Sequence, residues 1–154
     1  MDPAESDFGV LLAVAHATFL DRLHRHMEEL GFEGFTTRTG FVLRVLSSPG
    51  EDQALSLREI ADVLEMSSPA ALKVVDAMVR EGYVERVAGR RDRRVRAVTP
   101  TERGRAALAA ARKFHADFEQ SLGAAAPDLR AGLGLIAGQA SAAIPRVLRR
   151  PTQM

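Results

Sequence analysis

Residues 55–86 read LSLREIADVLEMSSPAALKVVDAMVREGYVER, and this stretch holds two helix starts and two helix stops in quick succession. Ser56 and Glu59 stand at the spacing of a capping box, with Leu55 and Ile60 placed to staple across it. A short helix over about 57–64 then buries Ile60, Ala61 and Leu64. Glu65-Met66-Ser67 turns the chain, and Ser68-Pro69 opens a second helix that runs to Glu81 and stops at Gly82. On that second helix Ala71, Val74, Val75 and Met78 share one face. Pro69, Lys73, Asp76 and Arg80 lie opposite, and no large apolar group is expected among them. Two short helices joined by a tight turn are a helix-turn-helix, whose second helix can enter the major groove of DNA. The same pair also occurs as a plain corner inside a core, so the residues that follow decide between the two.

Tyr83-Val84-Glu85-Arg86-Val87 alternates as a strand does, and Val95-Arg96-Ala97-Val98-Thr99 does so again. Between them Gly89-Arg90-Arg91-Asp92-Arg93-Arg94 makes a hairpin tip. A helix-turn-helix followed at once by a hairpin with a cationic tip is a winged helix. Charge is segregated to match. Residues 73–105 hold ten Lys or Arg against five acids, a net +5, while the rest of the chain carries −4, within an overall charge of +1. That distribution favours a local polyanion-binding surface on an otherwise mildly acidic body.

Outward from this centre the pattern is helical. Asp2-Pro3-Ala4-Glu5 offers a cap, and Phe8, Leu11, Leu12, Ala15, Phe19, Leu23, Met27 and Leu30 recur at three-or-four spacing up to Gly31. A helix of that length, about 40 Å, outreaches a small domain and is expected to pack on another subunit. Residues 36–50 read as a shorter helix buried through Phe41, Val42, Val45 and Leu46, ended by Ser48-Pro49-Gly50. Thr99-Pro100-Thr101-Glu102 opens a helix carrying Leu108, Ala111, Phe114 and Phe118. Ala124-Ala125-Ala126-Pro127 connects to a last helix with Leu129, Leu133, Ile136, Ala140, Ile144 and Val147, which Pro145 should kink or fray. The expected fold is mainly α, of the α+β kind: a winged helix-turn-helix with a small β-hairpin wing, flanked by long N- and C-terminal dimerisation helices. Residues 36–100 would form the DNA-binding part, and 1–35 with 101–154 the dimerisation part.

The 154 residues suffice for one domain with a sizeable core. No apolar run is long enough to span a bilayer, and MDPAESDF lacks the order of a secretory signal, so a cytoplasmic location is expected, with no membrane partner. The absence of cysteine excludes disulfides, thiolate metal sites and thiol redox chemistry. No P-loop, GxGxxG or G-x-S-x-G element is present, so no enzyme is expected. Asp21, His24 and Glu28 share a helical spacing that could present metal ligands, but read better as an exposed polar stripe. No metal and no cofactor is expected.

The segment quoted above, followed by RRDRR and then TPTERG, resembles the multiple antibiotic resistance regulator (MarR) family of bacterial winged-helix transcription factors. The resemblance covers about residues 36–105 by motif, and its D-x-R wing signature falls on Asp92 and Arg94, with Thr101 and Gly104 beyond. It implies a triangular homodimer reading a pseudo-palindromic operator, most simply as a repressor. It further implies small-molecule effectors, often aromatic acids, bound between the dimerisation helices and the winged domain. The chain departs from the family at Leu72, where many members have Ser or Thr, and at Ala70 and Ala71. Without cysteine it falls outside the peroxide-sensing branch.

The expected DNA contacts are Ser56, Arg58, Ser67, Ser68, Pro69, Ala70 and Lys73 on the two helices, and Arg90, Arg91, Arg93 and Arg94 on the wing. Pro69 and Ala70 suit thymine methyl groups, and the arginines suit a narrow minor groove. Asp92 is expected to hold the fork of Arg94 and so position the wing. His16, Phe19, Phe35 and Phe41 are the candidate lining of a pocket for an anionic or phenolic effector. A DNA coater of low specificity and a metal-responsive regulator are the competing functions.

Overall fold

Ser56 ends one element and starts the next, its backbone pairing in a sheet while its side chain caps a helix. The computed structural model describes residues 5–47, 54–89 and 91–138. Its elements run α1 (Phe8–Glu29), α2 (Thr37–Leu46), β1 (Leu55–Ser56), α3 (Leu57–Leu64), α4 (Ser68–Arg80), β2 (Val84–Ala88), β3 (Arg96–Pro100), α5 (Glu102–Ser121) and α6 (Ala126–Gly138), with a 3-10 turn at Gly123–Ala125 before α6. The three strands form one antiparallel sheet in the order β1-β3-β2. The winged helix-turn-helix expected from the sequence is present.

β1 was not expected, because two residues are too few to show alternation. It pairs Leu55 with Val98 and Ser56 with Ala97, so the wing's inner strand is held from both sides. The α3 capping box is formed: Glu59 N–H donates to Ser56 Oγ at 3.2 Å, and Ser56 N–H to the Glu59 carboxylate at 2.7 Å. α4 begins one residue after its cap, Ser67, whose hydroxyl accepts the Ala70 N–H.

Helices α1 and α4 stop by one device. Gly31 and Gly82 take positive φ, 83° and 77°, and the next aromatic residue reaches back across the last turn. Phe32 N–H donates to Met27 C=O and Tyr83 N–H to Met78 C=O, each at 2.8 Å. At its start α1 departs from expectation. Its cap is Asp7, which accepts the Gly9 N–H at 2.9 Å, and Glu5 lies in a turn ahead of the helix. Asp2, Pro3, Ala4, Ser48, Pro49, Gly50 and the end of the last helix, Ala140 to Val147, lie outside the described residues. Pro127 sits inside the first turn of α6 rather than in a connector, where its fixed φ suits a helix start.

The core lies where α2, α3, α4, α5 and the sheet meet, with Met27 reaching in from α1. Leu43, Leu46, Ile60, Met78, Tyr83 and Val84 are all fully buried there. Close packing explains one residue of the TPTERG segment. Thr101 caps α5 by accepting the Gly104 N–H at 3.0 Å, and its own N–H donates to Tyr83 C=O. That draws the first turn of α5 so close to the chain at Tyr83 that a Cβ on Gly104 would stand 2.0 Å from the Tyr83 carbonyl oxygen. Only glycine fits.

Candidate nucleic-acid interface

The burial pattern of α4 gives it a clear inside and outside. Ala71, Val75 and Met78 are buried, whereas Ser68, Pro69, Leu72, Lys73, Asp76 and Arg80 are exposed. The outward face thus carries a large apolar side chain that the sequence reading did not place there, Leu72, which is 42% exposed. Leu72 lies at the edge of the buried stripe, about 60° around the helix from the buried Val75, on the side of Pro69 and Lys73. Ala70 is half-buried, turned toward a cleft rather than fully outward. Ser56 and Ser67 use their hydroxyls as helix caps, while Arg58 is exposed on α3.

The wing is tied to this face. Arg86 on β2 makes an ion pair with Asp76 on α4, joining the base of the hairpin to the recognition helix. Both side chains are partly exposed, so the pair positions more than it stabilises, at roughly 0.2–1 kcal/mol. At the tip Gly89 N–H donates to Val95 C=O at 2.7 Å, and Val95 N–H to Asp92 C=O at 3.0 Å. Asp92 does hold Arg94, but through the main chain: its carboxylate accepts the Arg94 backbone N–H at 2.9 Å. Among the described residues no ion pair joins Asp92 to the Arg94 guanidinium, so the expected forked contact is replaced by a turn closed on the backbone. A carboxylate two residues before an amide is well placed for such a turn. The guanidinium is thereby left free to face outward. Arg91, Arg93 and Arg94 are all exposed on the tip, and Arg90 lies outside the described residues.

A second anchor was missed by sequence reasoning. Arg103, in the first turn of α5, donates from Nε to Glu81 C=O at 3.0 Å and from Nη2 to Gly31 C=O at 2.8 Å. Its guanidinium lies over the rings of Phe32 and Tyr83, 5.4 and 5.2 Å from their centroids. Tyr83 Oη donates to Glu33 C=O at 2.6 Å. One arginine therefore caps the C-terminal ends of both α1 and α4, where the helix dipoles favour a cation. The signal was faint: two helix stops ending in Gly-aromatic pairs, and a cation in TPTERG with no assigned partner.

The four candidate effector residues are not brought together. His16 is exposed on α1. Phe19 joins Phe114 and Phe118 of α5 in a ring cluster with centroids 5.0–5.9 Å apart. Phe35 is buried edge-on against Tyr83, and Phe41 is half-buried on α2. His115 lies 5.4 Å from Phe19, and burial, followed by the charge of Arg44, holds its pKa below the ordinary 6.5. A cleft of about 360 Å³ opens elsewhere, between the start of α2 and the flank of α4. Met66, Val74, Ala77 and Met78 line its apolar side, and Arg38 and Lys73 bring positive charge. It contains none of the four. Asp21, one of the metal candidates, is paired with Arg25 at 2.7 Å, and among the described residues no group of three or more His, Asp or Glu could hold a metal ion.

Comparison with known proteins bears on this geometry. Residues 33–95, which span α2 to the wing tip, match the model of the MarR family. That segment is similar to the MarR family. A stretch of 73 residues, 47% of the chain, is 38% identical to the transcriptional activatory protein BadR of Rhodopseudomonas palustris, and the match spans 42% of that protein's length. The fold is shared more widely. A mutant MarR of E. coli in complex with operator DNA superposes with a TM-score of 0.61 at 21% identity, over 87% of this chain and 98% of that one. BpsR of Bordetella bronchiseptica, whose DNA binding is regulated by 6-hydroxynicotinic acid, matches at 0.61 and 21%, over 88% and 96%. No helix among the described residues is long and apolar enough to cross a membrane.

Proposed function

We propose that this chain is a sequence-specific regulator of transcription, of the MarR family, that binds double-stranded DNA as a homodimer. The observation that carries the reading is the joined surface of α4 and wing: an outward helix face fastened through Asp76 and Arg86 to a tip of exposed arginines. A helix of that kind enters a major groove, and guanidinium groups on a hairpin fit the adjacent minor groove, where the potential is most negative. Residues 36–100 make this contact, and the helices on either side hold two copies together. Phe8, Val10 and Val14 on α1, with Leu129, Leu133, Leu135 and Ile136 on α6, are exposed in the single chain. Apolar faces of this extent mark an interaction surface, and a twofold partner covers such a face with itself.

The operator is then a pseudo-palindrome, with half-sites spaced by the dimer. Repression, by covering a promoter, is the simplest output of such a dimer, and BadR's name as an activatory protein makes the sign of control something a promoter assay must read. The effector site is the cleft beside α4, whose volume falls in the range of small-molecule sites and whose cations suit an organic anion. A ligand there would press on Lys73 and the flank of the recognition helix.

The test is fluorescence anisotropy on DNA from upstream of the chain's own gene, with random duplex as competitor, across a salt series. A preference of at least about a thousandfold is expected. If each subunit neutralises about five phosphates, the log–log salt slope is roughly −9. Equal and salt-labile binding to every duplex tried would replace this reading with that of an architectural DNA coater.

A further inference from the structure

We infer that Leu72 reads a thymine methyl group in each half of the operator, and that with Pro69 it makes the recognition helix a reader of methyls more than of hydrogen-bonding base edges. The inference rests on the DNA-binding reading above and specifies what α4 selects. It begins with the polar side chains on the outward face. Ser67 is occupied as the cap of α4, accepting the Ala70 N–H. Asp76 is held by Arg86. Arg80 sits in the last turn, away from the N-terminal end of the helix that meets base edges in helix-turn-helix proteins. Ser68 and Lys73 remain, and a flexible ammonium discriminates less sharply than a forked or amide group.

The apolar side chains are better placed. Pro69 and Leu72 are three apart on the exposed side of the first turns, so they are neighbours on the helix surface. Lys73 stands beside Leu72 and four residues from Pro69, ready to take a phosphate or a guanine edge. Leu72 keeps 42% of its surface exposed and is not among the side chains packed against the core. In the major groove only the C5 methyl of thymine offers an apolar partner, and it is what distinguishes A·T from the other pairs for a side chain that cannot hydrogen-bond. Burying one methyl changes affinity by about fourfold. Two half-sites give about fifteenfold for a symmetric dimer.

The experiment uses the full chain. An operator is first selected from a random duplex library. Failure of any sequence to emerge would sink the sequence-specific reading itself and is thereby told apart from failure of this inference. Each thymine of the selected operator is then replaced singly by deoxyuridine, which removes the methyl and leaves the Watson–Crick and O4 groups unchanged. Affinities are measured for the wild type, Leu72→Ala and Pro69→Ala, with circular dichroism confirming the fold. At one thymine per half-site, deoxyuridine should weaken the wild type about fourfold. Leu72→Ala, which removes the contact in both half-sites, should weaken binding to the thymine operator about fifteenfold and bind thymine and uracil operators equally. Pro69→Ala should keep the preference at that position. No effect of uracil at any position, or an effect undiminished in Leu72→Ala, overturns the assignment.

Discussion

The two ends of this chain's architecture are finished to different degrees. In the winged helix each helix start and strand junction is closed from within: Ser56, Ser67 and Thr101 cap α3, α4 and α5, Arg103 ties the ends of α1 and α4, and Arg86 joins hairpin to helix. In α6 no described residue is buried, and Leu135 is 71% exposed. Only Leu23 and Met27, in the second half of α1, are buried along its 22 residues. Hydrogen bonds can be completed locally, whereas an apolar face needs an opposing surface. The contrast teaches that the winged helix is a finished body in one copy, while the outer helices leave apolar faces uncovered, as the proposed dimer requires.

Breaking the outer face should therefore have the largest effect. Leu129 and Leu133 are one helical turn apart on α6, and both are 47% exposed in the single chain. Leu129→Asp with Leu133→Asp should give a monomer in sedimentation velocity. It should also lose about 10²-fold or more in operator affinity, since the second half-site would no longer bind intramolecularly. The winged helix should keep its fold, because neither leucine touches its core. A doubly substituted chain that still sediments as a dimer would mean that α6 is covered by something other than its copy.

Two glycines sharpen the comparison at smaller amplitude. Gly104→Ala drives a methyl into the Tyr83 carbonyl, and overpacking of this kind costs about 1–3 kcal/mol. Gly132 lies in α6, where a Cβ would meet nothing within 4 Å of the single chain. There Gly132→Ala should gain up to about 1 kcal/mol of helix propensity. Urea denaturation of both variants reads the difference. A loss at Gly132 would show that the second copy packs closely against that spot.

How far the sequence disclosed these regions follows from the range of each interaction. Capping boxes, Gly stops and strand alternation are local, and Ser56, Glu59, Gly31, Gly82 and the hairpin were legible for that reason. β1 was hidden because its two residues acquire meaning only opposite Ala97 and Val98. Arg103 was hidden because its acceptors lie 22 and 72 residues away. The α1 cap was misplaced because the motif Asp2-Pro3-Ala4-Glu5 drew the helix start too early, whereas Asp7 caps it through the Gly9 N–H. The effector candidates failed as a group for the same reason: aromatic side chains say that they are buried, not with whom. Phe19 went to α5 and Phe35 to Tyr83. Leu72 was passed over because helical spacing alone does not rank neighbouring positions by exposure.

The smallest effect concerns the sign of a single charge. Asp92 stands among arginines on the surface proposed to meet phosphate, so by charge alone its removal should tighten DNA binding. Its carboxylate, however, closes the wing turn on the Arg94 N–H, and a hydrogen bond of this kind is worth about 0.5–1.5 kcal/mol, or about two- to tenfold in affinity if the turn must be ordered to bind. Asp92→Ala removes both the charge and the acceptor and should weaken binding by that factor in each half-site. Asp92→Asn keeps a side-chain carbonyl at the same reach while removing the charge, so it should bind at least as well as the wild type, and more so at low salt, where the lost repulsion is least screened. Anisotropy at two salt concentrations separates the cases. If Asp92→Ala and Asp92→Asn both tighten binding equally, the turn contributes nothing and the wing is organised by its strands. If alanine weakens and asparagine does not, the finished state of the winged helix reaches to the tip of its hairpin, and a side chain that opposes DNA by charge serves it by shape.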